Sequence, residues 1–180
     1  PRLDAETHPL LAVREPKRIR VICMTSDRGL CGGFNTNLIK ATERFVAEKL
    51  REGREVSLIP IGRKGRDYFR KKATLINGRA DVFGRFDMTL AAEIAGDVIP
   101  AFVAAEYDEL YILYNEFVNV AVHRPTVVRL FPLPSIGDGD AAGPDRLRDI
   151  IYEPSAEALL EKLLPLYVHV LIYRALVETS

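Results

Sequence analysis

Net charge is what this sequence has least of: 25 Lys and Arg are balanced by 25 Asp and Glu. Without a global field, the chain is not drawn as a whole to nucleic acid or to an anionic membrane, and only a local patch could do so. Cysteine is nearly as scarce. Cys23 and Cys31 form neither a C-x-x-C pair nor a disulfide framework, which fits a reducing cytosol. Long apolar runs are missing as well. The longest uncharged apolar stretch, Leu163 to Tyr173, contains Pro165 and His169 and is too short to cross a bilayer. The first 17 residues mix charge and proline, so no signal peptide is visible. Membrane association is therefore expected only through a partner.

What is present suits one folded domain with a sizeable core: 180 residues, 48% of them hydrophobic. Residues 1 to 17 read as an approach segment. Ile19 to Thr25 is a nearly continuous apolar run, the pattern of a strand covered on both faces. From Asn37, apolar residues Leu38, Ile39, Ala41, Phe45, Val46 and Leu50 recur at helical spacing, and Gly53 ends that helix. Val56 to Ile61 reads as a second buried strand, followed by a short basic helix, Lys64 to Lys72. Ala73 to Ile76 is expected as a third strand, with Asn77-Gly78 as a turn. Leu90, Ile94, Val98 and Phe102 mark another helix, in which Pro100 predicts a kink or an early stop. Glu109 to Glu116 and Asn119 to Pro132 read as the fourth and fifth strands, the latter interrupted at Pro125. Ser155 can cap a closing helix bent near Pro165.

Strands alternating with helices predict an α/β fold: a Rossmann-like three-layer sandwich with a mainly parallel five-stranded sheet, an antiparallel hairpin and a long C-terminal helix. The chain is expected to be a single domain, 1 to 180, cut from a longer protein, with 155 to 180 the start of a longer helix. That closing helix is apolar on more than one face, which predicts burial on a second side, in the core or against a partner.

The densest local signal is Ser26, Asp27, Arg28, Gly29, Leu30, Cys31, Gly32, Gly33, Phe34 and Asn35, between the first strand and the first helix. Three glycines in five positions allow a sharp turn, and local physics alone reads a cradle for an anion. The spacing is not that of a dinucleotide fingerprint, and no G-K-[ST] follows, so no lysine is placed to reach a phosphate. Cys31 beside Arg28 lacks a base, because His8, His123 and His169 are scattered. Ser26-Asp27 fits a turn or cap better than a nucleophile. Arg63, Lys64, Arg66, Arg70, Lys71 and Lys72 form a basic helix, read as solvated or facing a partner, with Tyr68 and Phe69 turned toward the core. Asp138-Gly139-Asp140, with Gly143 and Asp149, echoes a calcium loop but has Ala142 and a closing aspartate where ligands are needed. No catalytic, cofactor-binding or metal-binding residue is assigned.

The Ser26 to Asn35 string, with Thr36-Asn37-Leu38-Ile39-Lys40 after it, resembles the signature of the gamma subunit of F-type ATP synthases. So do His8-Pro9-Leu10-Leu11, Ile61-Gly62-Arg63-Lys64-Gly65-Arg66-Asp67-Tyr68-Phe69, Tyr114-Asn115-Glu116-Phe117, Leu130-Phe131-Pro132-Leu133, Glu153-Pro154-Ser155 and Leu163-Leu164-Pro165. The resemblance implies a non-catalytic central-stalk rotor subunit that couples ring rotation to ATP synthesis or hydrolysis in the catalytic hexamer. It implies the globular foot, without the two long terminal helices that pair as a coiled coil in that family. The implied partners are the epsilon subunit, the proteolipid c-ring and, mainly through the absent helices, the alpha/beta hexamer; no cofactor, nucleic acid or direct membrane insertion is implied. No cysteine-bearing insertion of the chloroplast kind is found, so the implied place is the cytoplasmic side of a bacterial inner membrane, peripherally attached. The alternative is a nucleotide- or phosphate-binding domain using the 26 to 35 loop.

Overall fold

The protein is described by a computed structural model over residues 8–26, 33–70, 88–133 and 156–179. A short 3₁₀ turn at Pro9–Leu11 leads to β1 (Arg18–Met24), α1 (Phe34–Arg51), β2 (Glu55–Ile61) and α2 (Arg63–Phe69). Then come α3 (Met88–Val103), β3 (Glu109–Asn119), β4 (Val122–Phe131) and α4 (Ala156–Thr179). The sheet runs β2-β1-β3-β4. β2 and β3 both lie parallel to β1, and β4 returns antiparallel to β3. The fold is mixed α/β.

β1 is central, so both of its faces must be apolar. Ile19, Val21 and Cys23 point into one cluster with Leu38 and Ile39 of α1, Phe69 of α2, Leu58 and Leu113. Ile22 and Met24 point into the other, with Leu10 and Leu11 of the approach segment, Ile94 and Phe102 of α3, and Val168 and Ile172 of α4. Two helices therefore cover each face of the sheet.

Several expectations need correcting. The strand expected at 73 to 76 and its turn lie outside the described residues, so the described sheet has four strands. α1 begins at Phe34, ahead of Asn37, and its Leu50 is exposed. Pro100 lies inside α3, which ends soon after it, at Val103. The β3–β4 turn falls at Val120-Ala121, because β3 runs on to Asn119, whose side-chain oxygen accepts the Ala121 amide at 2.9 Å. Pro125 does not interrupt β4, which lies at the edge of the described sheet, a position where proline is tolerated. Pro165 sits inside α4, and Ser155 falls outside the described residues.

Polar contacts close the N-terminal end of the sheet. The Asp108 carboxylate accepts the backbone amides of Lys17 and Arg18 at 2.9 and 2.8 Å. Arg20 is different. It is buried on β1 with its guanidinium 4.3 Å over the Tyr107 ring, yet among the described residues its Nε has no hydrogen-bond partner. A desolvated, incompletely bonded guanidinium opposes its own stacking gain. Arg20→Met is therefore expected to leave stability unchanged or to raise it by up to about 1 kcal/mol in urea unfolding. A loss above about 2 kcal/mol would show that the cation–π contact dominates.

Cys23 lies fully inside the α1-side cluster, near the hydroxyl of Thr42, which also donates to the Leu38 carbonyl. Burial pushes its thiol up from 9.0 to about 12. The unfolded chain thus releases this proton first. The stability contribution is complete below pH 9 and is lost as pH rises through the window from about 9 to about 12. Relative to Cys23→Ala, the wild type should lose up to about 1.4 kcal/mol per pH unit in that window, read from denaturant midpoints. Equal slopes for the two proteins would refute the assignment.

Candidate functional site

The glycine-rich segment that the sequence singles out connects β1 to α1. β1 is where the strand order reverses, β2 lying on one side and β3 on the other. In open α/β sheets the crevice at such a point is where ligands bind. Of the ten signature residues, Ser26, Gly33, Phe34 and Asn35 are described; Asp27 to Gly32 lie outside the described residues.

The described flanks are tied to each other and to the neighbouring strand. The Ser26 amide donates to the side-chain oxygen of Asn35 at 2.9 Å, so the two ends of the loop meet. Asn115, buried on β3, donates its side-chain N–H to the Phe34 carbonyl at 2.9 Å. The Phe34 ring meets His123 edge-on at 5.0 Å, and His123 meets Phe117 at 5.5 Å. β3 extends six residues beyond Leu113, its last residue paired with β1. The hairpin therefore brings its own side chains to the flank of the crevice.

Below the loop, Thr25 joins three elements. Its hydroxyl donates to the Ile61 carbonyl at 2.9 Å and accepts the Gly65 amide at 2.9 Å. Its own amide also donates to Ile61, at 2.9 Å. This junction explains both glycines of the Ile61-Gly62-Arg63-Lys64-Gly65 segment. Gly62 has φ +91°, and a Cβ there would stand 2.1 Å from the Thr25 carbonyl oxygen. At Gly65 a Cβ would meet the Thr25 side chain at 2.9 Å. β2 can turn directly into α2 only because no side chain intervenes.

The other sequence candidates do not converge. His8 caps the 3₁₀ turn, its Nδ1 accepting the Leu10 amide at 3.1 Å, while His123 lies in the aromatic group and His169 on α4. Cys31 is outside the described residues, as are Asp138 to Asp149 and Lys71 and Lys72. On α2, Arg63 and Lys64 are exposed, Arg66 faces Asp67 at 3.4 Å, Phe69 is buried, and the Tyr68 hydroxyl donates to Glu43 at 2.6 Å. Among the described residues no group of His, Cys, Asp or Glu could hold a metal ion. Near the hairpin, the hydrogen bond from Arg124 to exposed Glu116, 2.9 Å long, holds that carboxyl below its ordinary range.

Sequence reasoning missed Thr25, Asn115 and Asp108. Each is a polar residue on or beside a strand whose partner lies 36 to 91 positions away, and no local pattern announces such pairs. Thr25→Val keeps the shape but strands the Gly65 amide, and should cost about 1 to 3 kcal/mol. Gly62→Ala adds backbone strain and a clash and should cost more than about 2 kcal/mol. Thermal or urea unfolding checks both, and a neutral Gly62→Ala would contradict the junction.

Comparison with known proteins adds the following. The ATP synthase gamma chain of Syntrophus aciditrophicus is 63% identical over 179 residues, covering 99% of this chain and 62% of that protein. That of Pelotomaculum thermopropionicum is 45% identical, covering 97% and 60%. The chain thus spans about three-fifths of the length of these curated relatives. In fold it matches the central stalk and c-ring structure of the Tetrahymena thermophila mitochondrial ATP synthase, with a TM-score of 0.69, 22% identity, and coverage of 93% of this chain and 72% of the other. The Euglena gracilis mitochondrial ATP synthase rotor gives a TM-score of 0.63 at 16% identity, covering 96% and 68%. The ATP synthase family model matches residues 2–180, nearly end to end, so the chain belongs to that family.

Proposed function

We propose that this chain is the globular foot of the central-stalk rotor subunit of an F-type ATP synthase, with no catalytic role of its own. The observation that carries the reading is the family match over residues 2–180, together with a gamma-chain relative at 63% identity. The foot is fixed to a proton-driven ring and to the epsilon subunit, and two terminal helices extend from it into the catalytic hexamer. The complete domain is Rossmann-like, with a five-stranded sheet. Its place is the cytoplasmic side of a bacterial inner membrane, reached through the complex; among the described residues no helix is long and apolar enough to cross a membrane.

Two features of the fold support this reading. α4 buries Leu164, Val168, Ile172 and Leu176 against the sheet, yet it exposes Leu166, Val170 and Val177, with Tyr173 half-buried between them. That second stripe has spacings of four, three and four residues, which is the seam of a coiled coil. A second helix of the complete subunit would cover it. The described flanks of the 26 to 35 segment are tied to each other and to β3, an arrangement suited to backbone packing and subunit docking. Binding of a nucleotide or phosphate there is not favoured, because the glycine spacing and the absent lysine suit neither.

The test is reconstitution of the complex with and without the full-length parent. The parent should co-purify with the catalytic and epsilon subunits, and proton pumping should depend on it. A stable, fully coupled ATPase assembled in its absence would rule this function out.

A further inference from the structure

The segment before β1 is held by very little regular structure. After the 3₁₀ turn it runs without helix or strand until Arg18. Leu10 and Leu11 are buried in the α3/α4-side cluster, and the Leu10 carbonyl accepts the Leu133 amide at 2.9 Å. Beyond them, the Lys17 carbonyl accepts the Glu55 amide at 2.9 Å, and the side chains of Arg14 and Asp108 fix the strap. Arg14 Nη2 donates to the carbonyls of Phe102 and Tyr107 at 2.9 and 2.8 Å. Its Nε lies 3.5 Å from Asp108 Oδ1, and its guanidinium lies 4.3 Å over the Phe102 ring. The second Asp108 oxygen takes the amides of Lys17 and Arg18, and the Asp108 amide donates to the Arg18 carbonyl at 2.8 Å. One arginine and one aspartate thus join the strap, the end of α3, and the first residues of β1 and β3.

We infer that this knot is where force on the chain preceding β1 enters the sheet, and that Arg14 is a positioning residue for rotary coupling. The inference rests on the rotor reading given above. Apolar burial of Leu10 and Leu11 stabilises the strap but is non-directional. The two hydrogen bonds from Arg14 Nη2 are directional and must break before the strap moves along the sheet edge. Because Arg14 also satisfies carbonyls at the end of α3, a purely structural role is the competing account. The two differ in what happens to coupling at equal stability.

The experiment uses the complete membrane-bound complex carrying the full-length subunit, in inverted vesicles, with ATP hydrolysis and ATP-driven proton pumping measured side by side. Arg14→Met keeps an unbranched apolar side chain and removes the guanidinium, with its hydrogen bonds and its stacking over Phe102. It should leave hydrolysis within about twofold of wild type while pumping per ATP falls about threefold or more. Arg14→Lys, which keeps the charge toward Asp108 but loses the planar fork, should fall in between; it carries the test if the methionine variant does not assemble. Leu38→Ala, a core truncation on the opposite face of the sheet, is the control. It should lower thermal stability at least as much and leave the pumping ratio unchanged. An unchanged ratio in both Arg14 variants, or an equal fall in Leu38→Ala, would overturn the inference. A wild-type subunit that does not assemble with the catalytic subunits would instead refute the rotor reading itself.

Discussion

Burial of β1 from both sides is the constraint on which the rest of the structure depends. A strand flanked by two parallel neighbours and covered by helices on each face has no solvent side. That is why Ile19 to Met24 read as a near-continuous apolar run, interrupted only by Arg20. Because β1 feeds both clusters, neither face can loosen without disturbing the strand that supports the other. The interior is close-packed, so a displacement imposed at one edge is transmitted rather than absorbed.

The two ends of that strand are handled by different chemistry. At its start, Asp108 and Arg14 gather the approach segment, α3 and β3 by charge-assisted hydrogen bonds. At its finish, Thr25 links β2 and α2 with neutral hydrogen bonds, and two glycines admit the close approach. The described flanks of the glycine-rich signature are bound to each other, to the chain's own Asn115 and to His123. α4 adds the outward element: one face completes the core and the other leaves an apolar seam exposed.

Much of this was legible in the sequence where apolar periodicity dominates. β1, β2 and the buried half of α3 follow directly from runs and 3.6-residue spacing, and Gly53, at φ +81°, closes α1 as its position suggests. The excess of apolar residues in the last segment corresponds to two apolar stripes on α4, one buried in the core and one exposed. The hairpin was harder. Phe117 and Val118 continue β3 even though they are exposed, so an inward-outward pattern does not mark the turn, and Pro125 imitates a break because its harmlessness depends on an edge position that the sequence does not state. Arg14, Thr25 and Asp108 were illegible for a deeper reason: each acts through a partner brought near only by the finished topology.

Hydrogen exchange of the complete subunit would probe the two-sided role of β1 most directly. If the strand unites both clusters, the amides of Ile19 to Met24 should exchange only through global unfolding, and residues on the two faces should share that opening energy. Exchange of β1 through a separate, lower-energy opening, or distinct opening energies for the α1-side and α3-side clusters, would contradict a single stiff body.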